Sequence, residues 1–428
     1  MRIVVSILSV LLSCMALAQT PPSLSLDDCI ALALENNGRV QAAVRQLRTA
    51  ELARTEISTT ALPQLGYAVG GSYAPATGHF GYDPIISNQG QVSGQVIMQQ
   101  SVYDAGVRGI RSGQLDLDIQ RSTAEAGIVR RDLVFAVTQA FVDATRAREE
   151  ASLGRESIAQ LAEYLDIVRQ VSTRGGASYT DVLKTEIQLS NAQLVVQKAG
   201  DAESSSKLLL AEMIGRAVDT SFSLSGSLDS LLAPAGETAF HQNDLTLNLD
   251  YRLALMNMQT GVLEVDLASR ERAPSVSLFA DAGLLTSIEN LKLPASERGG
   301  MVGYSLGINI TGLLYNWGGT DLRVQQREAQ VEFLRLQTQT LQRSLTSEFT
   351  RTQFQLANAR DRLRLLRSNI GRARDNYLLT KSKFVGGGTS SLEVLNAQQL
   401  LTDAELNAVG ALADIQTLTA KLQQLTAQ

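Results

Sequence analysis

The amino-acid sequence predicts a mainly α-helical protein that contains two pairs of β-strands and is internally duplicated. Three observations lead to this fold class. The 428-residue chain has eight prolines, and none of them falls within the long tracts 85–233 and 295–428. Segments with the composition of β-strands precede a long helical tract in each half. Several short motifs of the first half recur in the second half at one constant spacing, as expected of an internal repeat.

The first 18 residues have the pattern of a secretory signal peptide. Arg2 precedes an apolar run, 3–12, and the small-residue triplet 16–18 follows as a cleavage site. The run is shorter than the roughly 20 residues that a transmembrane helix needs. Residues 11–14, Leu-Leu-Ser-Cys, also resemble a lipoprotein processing site, so lipidation of Cys14 stays open. Both alternatives predict an exported protein.

Composition argues against several classes of function. A net charge of -5 and a pI near 5.4 give no basic surface for nucleic acid. The two histidines, His79 and His241, are far apart, and no Cys-x-x-Cys or His-x-x-x-His motif occurs. We therefore predict no metal site, no cofactor and no enzymatic activity.

Two tracts are predicted to form very long helices. Proline inside a helix costs about 3 kcal/mol, and 107–173 and 322–383 contain none. Both tracts are rich in Ala, Arg, Glu, Gln and Leu, which favour helix. About 65 residues would span roughly 100 Å at about 1.5 Å per residue. This pattern is also that of an ordinary coiled coil, which composition alone leaves open.

Ahead of each tract lie two segments that are predicted to be strands. They are 64–75 and 91–104 in the first half, and 275–285 and 303–316 in the second, so that strands lie at about 64–104 and 275–316. Leu306, Ile308 and Ile310 alternate with small or polar residues. This alternation predicts a strand with one apolar and one polar face.

The duplication has a spacing of 212 positions. The segment 175–183, Gly-Gly-Ala-Ser-Tyr-Thr-Asp-Val-Leu, aligns with 387–395, Gly-Gly-Thr-Ser-Ser-Leu-Glu-Val-Leu. Tyr103 and Gly106 likewise precede Tyr315 and Gly318 by 212 positions. We predict two repeats, 19–230 and 231–428, each with a helix, two strands, a long helix, a glycine turn and a returning helix. The turns are expected at about 174–180 and 385–391.

Four strands per chain raise a problem of closure. A membrane barrel needs at least eight strands, and open sheet edges are not tolerated in lipid. Either the strands form a small soluble sheet, or several chains pool their strands. Export, duplication and the long helices favour pooling.

These motifs together identify a family. The opening helix 25–51, the SVYDAG and LLYNWGG steps, and the paired RGGASYTDVL and VGGGTSSLEVLNAQ segments make the chain resemble the TolC-like outer membrane efflux proteins. The resemblance implies a homotrimer that builds one 12-stranded barrel in the outer membrane and continues it as an α-helical tunnel through the periplasm. It also implies an exit duct of a tripartite efflux pump or type I secretion system, with a periplasmic adaptor and an inner-membrane transporter as partners.

The alternative is a periplasmic coiled-coil adaptor or scaffold without a channel. Two similar strand pairs 212 residues apart favour the channel, because an adaptor would need lipoyl-like and barrel segments instead. The cargo is not indicated, since drugs, metal ions and secreted proteins all leave through ducts of this kind.

The resemblance also assigns site residues. Adaptor docking falls to the glycines of the two turns, and the pore entrance falls to residues around them: Gly175, Gly176, Gly387 and Gly388 for docking, and Thr180, Asp181, Phe384, Thr389, Glu393 and Asn396 for the entrance.

The two acids have a second interpretation. Ser178 and Asp181, like Ser390 and Glu393, have the spacing of a helix capping box, so a purely structural role for Asp181 stays open. Threefold symmetry would repeat Glu393 around the channel axis. We therefore expect Glu393 to be the main electrostatic element of the entrance, favouring cations.

The second turn departs from the family pattern at three positions. Asn396 stands where the family has a further acid. Phe384 and Thr389 stand where some members place a tyrosine and an arginine, and neither can form a salt bridge. Closure of the entrance is therefore expected to depend more on packing than on ion pairs.

Overall fold

We describe the protein from a computed structural model, and the described residues are 23–74, 90–215, 222–231, 242–297 and 302–426. The predicted signal peptide, the candidate lipidation site Cys14, and the two histidines lie outside these residues. The described chain divides into two compact units. The helical unit comprises Met1–Val44, Glu125–Tyr251 and Leu341–Gln428, and the sheet unit comprises Arg45–Ala124 and Arg252–Thr340, each over its described residues.

The elements follow the predicted order of helix, two strands, long helix and returning helix, twice over. In chain order they are β1 (Ser23–Leu24), α1 (Leu26–Asn36), α2 (Gly38–Thr59), β2 (Gln64–Tyr73), β3 (Gly90–Tyr103), α3 (Val107–Thr173), α4 (Tyr179–Met213), β4 (Ser223–Leu224), α5 (Leu228–Leu231), α6 (Leu249–Ser269), β5 (Ser275–Ser287), α7 (Ile288–Lys292), β6 (Val302–Thr311), α8 (Gly319–Val385) and α9 (Ser391–Thr426), with short 3-10 helices at Gln242–Leu247 and Arg270–Arg272.

The repeat is visible in the bounds of the helices. The long helices α3 and α8 each have 67 residues, and their first residues, like their last, lie 212 positions apart. The same spacing separates the first residues of α4 and α9. Ala105 and Trp317 have left-handed φ angles of 54° and 53°, again 212 positions apart. The internal repeat is confirmed, while the boundary between the repeats at residue 230 stays a prediction.

The sheet unit contains one four-stranded antiparallel sheet in the order β2-β3-β5-β6. Strand β3 pairs with β5 in a long ladder from Gln91 opposite Ser287 to Tyr103 opposite Val276. This central ladder joins a strand of the first repeat to a strand of the second. Strands β2 and β6 are left as the two edges.

The two faces of the sheet differ in chemistry. The register places Tyr67, Val96, Ala282 and Tyr304 in one row across the four strands. This apolar face also carries large exposed side chains, namely Leu65, Val69, Leu306, Ile308 and Ile310. The polar face carries mostly amide, hydroxyl and small side chains, including Gln64, Gln95, Gln99, Ser277, Asp281, Ser305 and Asn309. The sheet therefore has the alternating pattern of a membrane barrel wall.

The helical unit is held by separate buried clusters along its helices. One cluster packs around Phe349, Leu412 and Leu422 of α8 and α9. Another packs the N-terminal segment against α3 and α4, around Cys29 and Phe141. The short parallel pair β1 and β4 belongs to this second cluster through its leucines.

The opening helix predicted over 25–51 is wrong in one respect, because the chain forms two helices that break at Asn37. The Asn37 backbone N–H donates to the Ala33 carbonyl at 2.9 Å, which ends α1. Its side-chain oxygen accepts from the Arg39 N–H at 2.9 Å at the start of α2. Its side-chain amide also donates to the Met213 carbonyl at 3.2 Å. Asn37 therefore caps both helices and anchors the break to α4.

The last strand is shorter than its predicted range of 303–316, because β6 ends at Thr311. Thr311 pairs with Ser275, the first residue of β5. Pro274 precedes Ser275 and has no N–H to donate, so the ladder cannot continue. Within the described residues, no helix is long and apolar enough to cross a membrane.

Candidate functional site

The first tip turn, 174–178, ends the long helix α3 with a Schellman motif. Gly175 has a φ of +80°. Its N–H donates to the Ser172 carbonyl at 2.9 Å, and the Gly176 N–H donates to the Val171 carbonyl at 3.0 Å. Glycine adopts this left-handed conformation without the cost that a Cβ would bring. The turn thus satisfies the last carbonyls of α3 and reverses the chain.

The second tip turn, 386–390, repeats this geometry at the end of α8. Gly387 has a φ of +74°. Its N–H donates to the Phe384 carbonyl at 3.0 Å, and the Gly388 N–H donates to the Lys383 carbonyl at 2.9 Å. A Cβ added at Gly387 or Gly175 would meet no atom within 4 Å. Backbone conformation, and not lack of space, is what requires glycine at both positions.

The first returning helix begins with a complete capping box. The Asp181 N–H donates to the Ser178 hydroxyl oxygen at 3.2 Å, and the Ser178 N–H donates to the Asp181 carboxylate at 3.0 Å. The Ser178 hydroxyl also donates to this carboxylate at 2.8 Å. Asp181 is half-buried. The capping interpretation of this acid is confirmed, and its second role at an entrance stays a prediction.

The second returning helix begins differently. The Glu393 N–H lies 3.4 Å from the Ser390 hydroxyl oxygen, which is long for a hydrogen bond. The Glu393 carboxylate does not return to the Ser390 backbone and instead accepts a hydrogen bond from the Thr389 hydroxyl. The capping box is therefore incomplete at this turn. The Thr389 contact holds the exposed Glu393 side chain beside the glycines.

A buried apolar cluster, which we call the tip core, lies beneath both turns. Phe384 is only 5% exposed, and its ring packs edge-on against Tyr164 with 5.5 Å between ring centroids. The other members come from all four helices: Leu161, Leu165, Val168, Val182, Tyr377, Val394, Leu395, Ala397 and Leu401. Phe384 therefore contributes to the tip by packing within its own chain, and its role in closing the entrance stays a prediction.

Two buried tyrosines in the tip core have different polar surroundings. The Tyr164 hydroxyl donates to the Ser391 hydroxyl at 3.0 Å. The Tyr377 hydroxyl is buried and has no partner among the described residues. Burial raises the pKa of each phenol to about 12. Both groups are therefore neutral over the physiological range.

Polar contacts join the hairpins around this core. The buried Gln398 side chain donates to the Ser157 hydroxyl at 2.7 Å and links α9 to α3. The Gln188 side chain donates to the exposed Gln399 side chain at 2.6 Å and links α4 to α9. The buried bond contributes about 1 kcal/mol, whereas the exposed one competes with water.

The predicted entrance residues do not share one environment. Thr180, Glu393 and Asn396 are exposed, while Val394 and Leu395 beside them are buried. Glu393 and Asn396 lie three residues apart and so share one face of α9. Neither the sequence motifs nor their spacing indicated Tyr164 and Tyr377, because both lie in helical tracts that have no local signal. Ser391 lies within the second tip motif, but nothing in the motif indicated its bond to Tyr164.

The chain matches known proteins over nearly its whole length. The family model for outer membrane efflux proteins matches residues 29–216 and 243–428. The alkaline protease secretion protein AprF of Pseudomonas aeruginosa is 24% identical over 423 residues, which is 94% of this chain and 84% of that protein. The two matched segments of the family model correspond to the two halves of the chain.

Solved structures share the fold at low identity. The outer membrane protein VceC of Vibrio cholerae is 15% identical, with a TM-score of 0.78 over 94% of this chain and 95% of that one. The MtrE outer membrane channel of Neisseria gonorrhoeae, in its open state, is 16% identical with a TM-score of 0.77 over 95% of this chain and 94% of that one.

The two buried tyrosines generate a paired prediction. Tyr164→Phe should weaken the tip core by about 1 kcal/mol, because the Ser391 hydroxyl loses its partner. Tyr377→Phe should be neutral or stabilising, because it removes an unpaired buried hydroxyl. Hydrogen exchange of amides in 160–180 and 377–400 measures both effects. Equal losses of protection in the two variants would contradict the assignment.

The unequal caps generate a second prediction. Ser178→Ala should cost about 1 kcal/mol and speed amide exchange in 179–183 by about fivefold. Ser390→Ala should change exchange in 391–395 much less, because its bond to Glu393 is long. Mass-spectrometric hydrogen exchange on the two variants, each against the unmodified chain, measures the difference. A similar acceleration at both turns would show that the two caps are equivalent.

Proposed function

The chain belongs to the outer membrane efflux protein family, and we propose that it is the outer membrane exit duct of a tripartite efflux pump or type I secretion system. In this function the protein conducts substrates passively from a periplasm-spanning complex to the exterior. Its helical part lies in the periplasm and its sheet lies in the outer membrane.

One observation carries the proposal most directly, namely a four-stranded sheet with an apolar face and two open edges. The exposed side chains of that face, such as Tyr67 and Leu306, suit lipid. The edge strands β2 and β6 each have one side without a partner in the chain. Lipid cannot hydrate such backbone groups, so the edges must pair with other copies of the chain. Three chains pool their strands into a 12-stranded barrel.

This observation also separates the duct from a periplasmic coiled-coil scaffold. A large apolar patch exposed to water is unfavourable in a soluble scaffold. One face of this sheet exposes Tyr67, Val69, Tyr304 and Ile308. The long helices alone fit both functions. The sheet fits the duct.

The partners follow from the two tip turns. The glycine turns are exposed and present backbone without side chains, which allows another protein to approach closely. We assign Gly175, Gly176, Gly387 and Gly388 to docking of a periplasmic adaptor, which connects the duct to an inner-membrane transporter. The likeness to a protease secretion protein favours a protein as the cargo over a small molecule.

The entrance of the duct is assigned to the exposed residues beside these turns. In a trimer, Glu393 occurs three times around the axis and is held in place by Thr389. Three like charges at close range favour cations over anions. Asn396, on the same helix face, adds no charge. Phe384 supports closure from the tip core.

A variant of the second turn tests the function and its docking site together. Gly387→Leu should keep the outer-membrane trimer but lose most export, because a φ of +74° strains any residue with a Cβ. Gly371→Leu is the matched control, since Gly371 lies within α8 away from the turn, its φ is not left-handed, and its Cβ would meet no atom within 4 Å. Membrane fractionation with a heat-sensitive trimer on a gel measures assembly, and secretion of cargo measures export. A soluble monomer for the unmodified chain would refute the duct, whereas normal export by Gly387→Leu would refute only the docking role.

A charge variant tests the entrance. Glu393→Gln should reduce cation selectivity in planar bilayers while the trimer stays intact, because a ring of three charges is removed. Asn396→Asp should raise the selectivity, because it adds a ring on the same helix face. Reversal potentials in a salt gradient measure both. Unchanged selectivity in Glu393→Gln would remove this residue from the conducting path.

A further inference from the structure

The sheet contains a single charged side chain. Asp281 is the only Asp, Glu, Lys or Arg in strands β2, β3, β5 and β6. It is the seventh of the 13 residues of β5 and so lies at the middle of its strand. An ionisable residue at mid-membrane depth is costly unless it faces protein or water, and it commonly marks a functional position.

The register fixes the neighbours of Asp281. It lies opposite Ile97 of β3 on one side and Ser305 of β6 on the other. The Ser305 hydroxyl donates to the Asp281 carboxylate across this strand pair. No basic side chain in the four strands offsets its charge.

The chemistry of the two faces decides where this carboxylate points. The neighbouring residues Ala280 and Ala282 lie on the apolar face, in rows with Leu306 and Tyr304. In the barrel of the proposed function, that face contacts lipid, because its large exposed side chains are apolar. Asp281 alternates with these alanines and therefore lies on the polar face, which lines the lumen of the barrel.

We infer that Asp281 is a specificity-determining residue that biases the barrel lumen towards cations. In the trimer, three copies form a ring of carboxylates at one level, among amide and hydroxyl side chains that carry no charge. The inference rests on the trimeric barrel of the proposed function and is independent of the residues at the tips.

The strength of this bias depends on salt. The screening length is about 8 Å at 0.15 M ionic strength and about 30 Å at 0.01 M. In a lumen wider than a selectivity filter, the ring therefore acts as a local bias at physiological salt. At low salt its field extends further into the lumen. The expected effect is a preference among permeating ions and not their exclusion.

A cysteine reporter beside the ring tests the inference without depending on the conductance of the tips. Gln99→Cys places an exposed thiol on the polar face, one row from Asp281. Cys29 has no exposed surface and does not compete for reagent. In outer-membrane vesicles, the rates of reaction with a cationic and an anionic methanethiosulfonate reagent are compared at about 0.01 M salt. Val96→Cys is the matched control, because it places an exposed thiol on the apolar face. It tests which face of the sheet lines the lumen.

The ratio of cationic to anionic rates should fall about threefold when Asp281→Asn is added to the Gln99→Cys variant. Ser305→Ala keeps the charge and should leave the ratio unchanged. An unchanged ratio in Asp281→Asn would overturn the inference while the trimer and export remain normal. Reaction of both charged reagents with Val96→Cys, and not with Gln99→Cys, would overturn it by reversing the faces. Absence of an outer-membrane trimer would instead refute the proposed function.

Discussion

The pairing of backbone hydrogen bonds at the edges of the sheet is the constraint on which the rest of the molecule depends. Strands β2 and β6 each have a partner on one side only. In lipid, an unpaired edge costs several kcal/mol for each unsatisfied backbone group. The sheet is therefore stable in a membrane only as part of a closed barrel. Association with further copies of the chain is thus a condition for the fold of the sheet unit in a membrane.

The internal repeat then determines what the helices do. Each repeat supplies two strands and one pair of long helices, and α3 and α8 have the same length of 67 residues. Equal lengths bring both helix hairpins to their turns after the same number of residues. The two turns keep the same Schellman geometry through Gly175 and Gly387, but only the first has a complete capping box. The repeat therefore conserves the backbone of the tip, while the side chains of the second turn, especially Glu393, are available for another role.

Much of this fold could be predicted from sequence because its signals are local. The end of α3 at Thr173 is marked by the Gly-Gly pair that follows, and its start by the turn after Tyr103. The break at Asn37 could not be predicted in the same way, because it depends on a hydrogen bond to Met213, 176 positions away. The short pair β1 and β4 has only two residues in each strand, which is too few for any periodic pattern. The buried state of Phe384 was likewise hidden, since its partner Tyr164 comes from the other repeat.

A passive duct must also let its cargo leave, and the distribution of charge fits this requirement. A conducting site has to bind favourably enough for entry and weakly enough for release. The polar face of the sheet consists mainly of amides, hydroxyls and glycines, which offer many weak hydrogen bonds and no strong ion pair. Asp281 is its only formal charge, and the Ser305 hydroxyl already uses part of its hydrogen-bonding capacity.

A cargo with basic groups would thus be attracted at one level without being trapped along the barrel. Because β2, β3, β5 and β6 contain no lysine or arginine, acidic groups meet no fixed counter-charge there either. The four strands therefore place negative charge at one level of the polar face and no fixed positive charge on it.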